Sequence, residues 1–281
     1  MITIKNYVRA QSLEEAYTLN QTRTNCILGG MLWLKLGKGN VNTAIDLSDL
    51  GLNQIEETGS EFTIGAMVSL RQLEKHPGLN AYTQGAMAAA VRDIVGVQFR
   101  NSATVGGSIY GRFGFSDVLT MFLSMDTSVE LYKGGILPLE EFVKMKYDRD
   151  LLVRLIVKKS PGQFSYQAVR IAKTDFPVLT CAVSCMEQTY RVAVGARPGR
   201  AVLLRDEEGI LKTADTESGN SDAGIVEYRI PEEAVDQFAN WAAAKVPTGS
   251  NVRGSAEYRT HLVSVLVKRG LLEIGGRSCG N

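Results

Sequence analysis

The chain has 281 residues, with 31 Lys plus Arg against 30 Asp plus Glu and a formal net charge of +1, a length that predicts two lobes or one subdivided domain. A hydrophobic fraction of 44% with 22% charged residues excludes whole-chain disorder, and a near-neutral balance without a basic cluster gives a nucleic-acid or acidic-membrane surface no electrostatic support. Charge-free stretches such as Phe176 to Met186 fall short of the roughly 18 residues of a membrane span. Lys5, Arg9, Glu14 and Glu15 interrupt the apolar segment that a signal peptide requires, so a cytoplasmic location is expected.

Ile2 and Ile4 open an extended segment, and Ser12 with Glu15 has capping-box spacing for a first helix. Cys26, Ile27 and Leu28 read as a buried strand ending on Gly29-Gly30, and Ala44 to Leu47 as the next strand. Phe62, Ile64 and Ala66 alternate as in a strand, Ser69 to Gln72 starts a helix, and His76-Pro77-Gly78 stops it. An Ala-rich helical stretch is expected from about Asn80 to Val95. Val118, Leu119, Phe122 and Leu123 recur at helical spacing after Ser116-Asp117, and a strand around Val129 to Tyr132 turns at Gly134-Gly135.

From Gly162 onward the pattern changes. Extended runs at Phe164 to Val169, Val178 to Ser184 and Tyr190 to Ala196 predict an antiparallel sheet followed by two helices. Pro231 suits the first turn of one helix; on the other, Tyr258, Leu262, Val265 and Leu266 make one apolar stripe. The acidic, Gly- and Ser-rich segment from Asp206 to Gly224 reads as a solvated excursion. The expected class is α+β in three units, 1–55, 56–161 and 162–281.

The two histidines, His76 and His261, lack partners at ligand spacing and read as surface or packing residues, so neither a His-based metal site nor a His-dependent triad is expected. Four cysteines, Cys26, Cys181, Cys185 and Cys279, are too few and scattered for a disulfide framework; Cys181 and Cys185 read as core packing. The P-loop, Rossmann and hydrolase-elbow signatures do not occur. What remains is two Gly-Gly pairs, each read as ending an apolar strand: Gly29-Gly30 and Gly106-Gly107. Either is an ordinary tight turn or a place where bare backbone approaches a ligand and successive N–H groups form a phosphate-holding nest.

Arg100-Asn101, Ala103 to Ile109 and Ser116-Asp117 together resemble the R-N-x-A-T-x-G-G-N-I…S-x-D signature of the FAD-binding subunit of molybdenum hydroxylases, the xanthine dehydrogenase and carbon monoxide dehydrogenase family. Ile27-Leu28-Gly29-Gly30 resembles that family's A-G-G-T-D motif. Leu137 to Phe142, Arg170 to Asp175 and Gly254 to Leu262 match further segments in family order, over nearly the whole chain.

The resemblance implies a two-subdomain α/β FAD-binding domain (FAD-binding PCMH type) followed by a C-terminal antiparallel sheet with helices. It implies that Ile27, Leu28, Gly29, Gly30, Met31 and Leu32, with Ala103, Thr104, Val105, Gly106, Gly107 and Ser108, hold the FAD diphosphate side, and that Asp117 accepts a hydrogen bond from a cofactor hydroxyl. Asp175 and Lys173 fall near the flavin or the acceptor path, Lys173 otherwise being an ordinary surface lysine. No side chain is expected to act as a nucleophile or acid–base group, and no metal is expected on this chain. Electrons would arrive from iron–sulfur clusters and a molybdopterin centre on partner subunits and leave to NAD or another acceptor. The chain's cysteines also lack the spacing of a plant-type cluster.

Met31, Leu32 and Ser108 depart from the family's Thr, Asp and Asn, and Tyr110 to Phe115 replaces a small-residue segment. Arg112 there meets a phosphate or an acidic partner, or is simply solvated. Two other readings stand beside the leading one: a flavin-free scaffold subunit of such a complex, and a stand-alone flavin oxidase.

Overall fold

The computed structural model describes residues 1–211 and 230–275; residues 212–224 of the acidic segment, and Cys279, lie outside the described residues. The first unit is a small parallel sheet. β1 (Thr3–Arg9) leads through α1 (Leu13–Asn20) to β2 (Cys26–Leu28) and then β3 (Asn40–Asp46), and β3 lies between the other two. Ser12 caps α1 by accepting the Glu15 amide at 3.1 Å, while the Glu15 carboxylate reaches back to the Gln11 amide at 2.7 Å, one residue before the expected partner.

The second unit comprises β4 (Ile55–Glu57), β5 (Glu61–Gly65), α2 (Leu70–Lys75), α3 (Pro77–Tyr82), α4 (Ala86–Arg92), α5 (Val97–Ser102), α6 (Val105–Tyr110), α7 (Asp117–Ser124), β6 (Thr127–Leu131), β7 (Gly135–Pro138), α8 (Leu139–Lys144) and β8 (Leu152–Lys158). Its five strands pair antiparallel in the order β4-β5-β8-β6-β7. The Ser69–Gln72 capping box is complete. His76 does end α2, but Pro77 then occupies the first position of α3, and His76 Nδ1 accepts the Leu79 amide at 3.1 Å; the residue read as a stop is also a start. The expected helix from Asn80 to Val95 is broken at Gln84 and Gly85, both at positive φ (48° and 84°), into α3 and α4.

The third unit adds β9 (Gly162–Arg170), β10 (Pro177–Met186), β11 (Thr189–Gly195), β12 (Val202–Arg205), α9 (Glu232–Lys245) and α10 (Ala256–Gly275). The four strands form one antiparallel sheet in chain order. This sheet lies between two layers: Ala182 and Ala193 join the core of the second unit, while Cys181, Val183, Val192 and Val194 pack on α9 and α10. Because both faces are covered, β10 is an uncharged, almost wholly buried run rather than an alternation of buried and exposed residues. α7 is buried at every position for the same reason, wedged between the rest of the second unit and the sheet, where the Thr120 and Thr180 hydroxyls meet at 3.0 Å.

Two expectations about this unit change. The buried face of α10 is Arg259, Leu262, Val263, Leu266, Val267 and Leu271, whereas Tyr258 is exposed and Val265 half-buried. The helix rotates because the fully buried Arg259 guanidinium donates to Val178 O (2.9 Å), Gly249 O (2.6 Å), Gly254 O (2.5 Å) and Asn251 Oδ1 (2.6 Å), which repays its desolvation. The described start of the acidic excursion folds back, the Asp206 carboxylate accepting the Ile210 and Leu211 amides while Leu211 enters the core. No helix among the described residues is long and apolar enough to cross a membrane.

Candidate functional site

A cavity of about 530 Å³ opens where the three units meet. The first unit supplies its wall from the end of β2: Leu28 is buried in the strand, and the chain then bends at Gly29 and Gly30. Neither position tolerates a side chain. A Cβ on Gly30 would stand 1.9 Å from Ser102 O, and one on Gly29 would stand 2.9 Å from Thr104 Oγ1 and 3.9 Å from Gly107 Cα. The two double-glycine segments, about 75 residues apart in sequence, therefore touch.

They are not alike. Gly106 and Gly107 do not follow a strand, as the sequence suggested, but occupy the first turn of α6, with Thr104 as its N-cap. The segment from Ala103 pairs only briefly with residues 66 to 70. Leu70 N donates to Ala103 O at 2.8 Å, Val105 N to Val68 O at 2.8 Å and Gly106 N to Ala66 O at 2.7 Å. Thr104 Oγ1 then accepts the Gly107 amide at 3.1 Å and the helix begins. The amides of Val105, Gly106 and Gly107 are thus all engaged within the chain, so this segment is no open nest.

At the first segment the opposite holds. Among the described residues, the amides of Gly29, Gly30, Met31 and Leu32 donate to no backbone or side-chain acceptor. Met31 sits at φ 59°, the left-handed region, a backbone conformation that nests of successive N–H groups use. Thirteen of the fifteen sequence-predicted residues line the cavity: Ile27 to Leu32, Ala103, Thr104, Gly106, Gly107, Ser108, Asp117 and Asp175. Two do not. Val105 points into the hydrophobic core, and Lys173 is exposed outside the wall. The apolar Met31 and Leu32 line the cavity and pack against neighbouring cores.

Asp117 begins α7 and is 5% exposed. Its Oδ1 accepts from the Tyr166 hydroxyl at 2.5 Å and from the Arg170 guanidinium, both on β9. Burial pushes the carboxyl upward despite the adjacent guanidinium, and the Tyr166 hydroxyl is raised well above its usual value by burial and by the Asp117 charge. Asp175 is held low by the Phe176 amide (2.7 Å) and by Arg253 (3.2 Å). Arg100, the first residue of the longest motif, is structural: its guanidinium ties α5 to Glu74 at 2.8 Å and to Ile94 O at 3.2 Å.

Residues 2–159 match the FAD binding domain in molybdopterin dehydrogenase, and residues 164–274 match the CO dehydrogenase flavoprotein C-terminal domain. The chain belongs to the molybdopterin dehydrogenase FAD-binding family. It is 25% identical to the nicotine 6-hydroxylase medium subunit of Paenarthrobacter nicotinovorans, over 97% of this chain and 98% of that one. It is 24% identical to a putative xanthine dehydrogenase FAD-binding subunit, XdhB, of Escherichia coli K12, over 97% of each. Its fold superposes on a chain of reconstituted CO dehydrogenase from Oligotropha carboxidovorans with a TM-score of 0.82 at 21% identity, covering 98% of this chain and 99% of that chain.

Within this FAD-binding family member, the sequence reading missed an aromatic wall. Trp33 stacks on Phe176 at 5.5 Å and 27°, Phe115 meets Phe176 at 4.6 Å, and Phe113 lies parallel to Phe115 at 5.2 Å. These four rings come from all three units and all line the cavity. The aromatic density of Gly111 to Phe115 was the available signal. Also missed was Arg149, which clamps the first unit to the second by donating to Thr22 O (3.0 Å), Asn25 O (2.9 Å) and Asn20 Oδ1 (3.1 Å).

Proposed function

We propose that the chain is a cytoplasmic FAD-binding electron-transfer subunit of a molybdopterin-dependent hydroxylase or dehydrogenase. In this reading it takes electrons from iron–sulfur clusters on a partner subunit, fed by a molybdopterin-binding large subunit, and passes them to NAD or another acceptor. The carrying observation is the run of unengaged amides from Gly29 to Leu32 packed directly against the Thr104–Gly107 turn at the cavity. The medium-subunit character of the nicotine 6-hydroxylase relative supports the assembly. Among the described residues, the thiols of Cys26 and Cys181 form no disulfide, which suits a reducing compartment.

The residues present fit the cofactor. A cavity of about 530 Å³ falls within the usual range for organic ligands. Gly29 to Leu32 would hold the diphosphate through backbone N–H groups, with Ile27 and Leu28 anchoring that bend in the sheet. Ala103, Thr104, Gly106, Gly107 and Ser108 would form the facing wall, close enough because neither glycine carries a Cβ; Val105 supports them from the core. Asp117, oriented by Tyr166 and Arg170, would accept from a cofactor hydroxyl. The aromatic wall would shield the bound cofactor from water. Lys173 would lie on the acceptor side of Asp175. Bound FAD supplies the ability to accept electrons singly and give them up as a pair. The units 1–55, 56–161 and 162–281 serve as the working division, supported by one sheet in each.

The test is to purify the chain, record its absorption spectrum and identify any released cofactor. A flavin spectrum with FAD released is expected, together with co-purification of an iron–sulfur chain and a large molybdenum chain from the native host. A colourless protein that cannot be loaded with FAD, yet still co-purifies with those partners, would instead establish the flavin-free scaffold.

A further inference from the structure

Arg112 is the least satisfied charge among the described residues. It is 2% exposed, and none of Nε, Nη1 and Nη2 has a hydrogen-bond partner. Its guanidinium lies over the ring of Phe142 at 3.9 Å, with Tyr147 at 4.9 Å and Tyr110 at 5.4 Å, so aromatic faces and the nearby Asp148 charge, with no hydrogen bond, offset its desolvation. Burial pulls the guanidinium below its usual value. The backbone is in the left-handed region as well, at φ 44°, an uncommon conformation for a residue with a side chain. A guanidinium offers five donors, and leaving them all without acceptors is a costly arrangement.

The cavity beside it has the complementary deficit. Arg112 sits in the chain between two wall residues, Gly111 and Phe113. The wall carries four aspartates, Asp117, Asp148, Asp150 and Asp175, against two arginines, Arg149 and Arg170. Both arginines are committed. Arg149 is spent on carbonyls of the first unit, and Arg170 on Asp117 and on Asp175 O at 2.7 Å. An anionic ligand entering this acidic cavity therefore finds backbone amides at Gly29 to Leu32 but, among the described residues, no free cation on the wall.

We propose that Arg112 is a stored phosphate-binding cation: on dinucleotide binding its guanidinium leaves the Phe142–Tyr147–Tyr110 box and pairs with a phosphate oxygen in the adjacent cavity. The inference rests on the FAD reading above and adds a residue to it. The exchange forms no covalent bond; it trades cation–π contacts for charge-assisted hydrogen bonds.

Riboflavin, which lacks phosphates, separates this role from packing. The affinities of the apoprotein for FAD and for riboflavin are measured by titration for wild type and for Arg112→Met, a near-isosteric neutral replacement. The proposal expects FAD binding to weaken by about tenfold or more, riboflavin binding to stay unchanged, and the unfolding midpoint of the apoprotein to hold or rise, because an unpaired buried charge has been removed. Equal FAD affinity in wild type and variant overturns it, as does an equal loss for both ligands. Should the methionine variant fail to fold, salt dependence of the wild-type protein decides: FAD affinity falls more steeply with NaCl than riboflavin affinity, and matching slopes overturn the proposal. A wild-type protein that binds riboflavin but not FAD also overturns it, and one that binds neither defeats the FAD reading itself.

Discussion

Thr104 Oγ1 occupies the space that Gly29 leaves open, 2.9 Å from where a Cβ would stand. The same oxygen accepts the Gly107 amide that starts α6. One hydroxyl thus caps a helix in the second unit and sets how near the first unit's bend can come. Gly30 is tighter still, since its missing Cβ would meet the backbone oxygen of Ser102 at 1.9 Å, and no rotamer change relieves a backbone clash. Gly30→Ala is expected to cost about 3 kcal/mol of stability, more than Gly29→Ala, and to release flavin. Thermal unfolding and flavin content of both variants check the order.

The paired glycines of α6 separate packing from binding. A Cβ on Gly106 would press on Ala66 at 2.8 Å, whereas one on Gly107 would approach only Thr104 Oγ1, at 3.2 Å. Gly106→Val is therefore expected to lower the unfolding midpoint. Gly107→Val should keep stability within about 1 kcal/mol of wild type while reducing flavin content. If the two variants behave in the reverse order, Gly107 does not face the ligand.

Arg170 on β9 and Asp117 at the start of α7 join the C-terminal sheet to the second unit, with side chains 8% and 6% exposed. Removing one partner leaves the other buried and uncompensated. Arg170→Met is expected to destabilise by about 3–5 kcal/mol, and the double variant with Asp117→Asn to recover part of that loss. Denaturant midpoints of the single and double variants measure it; additive losses would mean that the two side chains are not coupled.

Glu140 on α8 is paired with Arg205 on β12 at 2.6 Å and with Lys144 at 2.9 Å, and the Arg205 hydrogen bond holds its carboxyl below the usual range. A group whose folded pKa is depressed contributes stability above its unfolded value, near pH 4.3, and loses it as pH falls through the folded value. Glu140→Gln should therefore be less stable than wild type by about 0.5–1 kcal/mol at pH 7, with the gap closing on acidification below pH ~4. Urea midpoints across that range report it, and a gap independent of pH would assign the effect to packing.

The chain has two tryptophans, Trp33 on the aromatic wall and Trp241 on α9 beside Phe238. In Trp241→Phe only the wall tryptophan emits. Titration with FAD is expected to quench that emission in parallel with binding. Emission that stays constant while FAD binds would place the cofactor elsewhere.

Much of this organisation is legible in the amino-acid order, for identifiable reasons. The Ser69–Gln72 box, the Ser116 cap of α7 and the hairpin from β6 to β7 depend on bonds between residues a few positions apart, so local spacing suffices to read them. The family motifs likewise lie in short continuous segments. The position of Gly106 and Gly107 is different: it depends on residues 66 to 70 pairing with Ala103 to Gly106, a contact between segments more than thirty residues apart. Hydrophobic patterning also treats an arginine as outward-facing, and so misplaces Arg259, which is satisfied by distant carbonyls, and Arg112, which is satisfied by none.

By itself, then, the chain's order of residues determined many of the helix starts, turns and strands, because helix caps, turns and strand alternation are set by near neighbours. Only the tertiary structure decided which double-glycine segment keeps its amides free, which arginines are spent and which rings close the cavity. Those outcomes depend on which remote carbonyl or ring reaches each group first, and that is a property of packing that no local window contains.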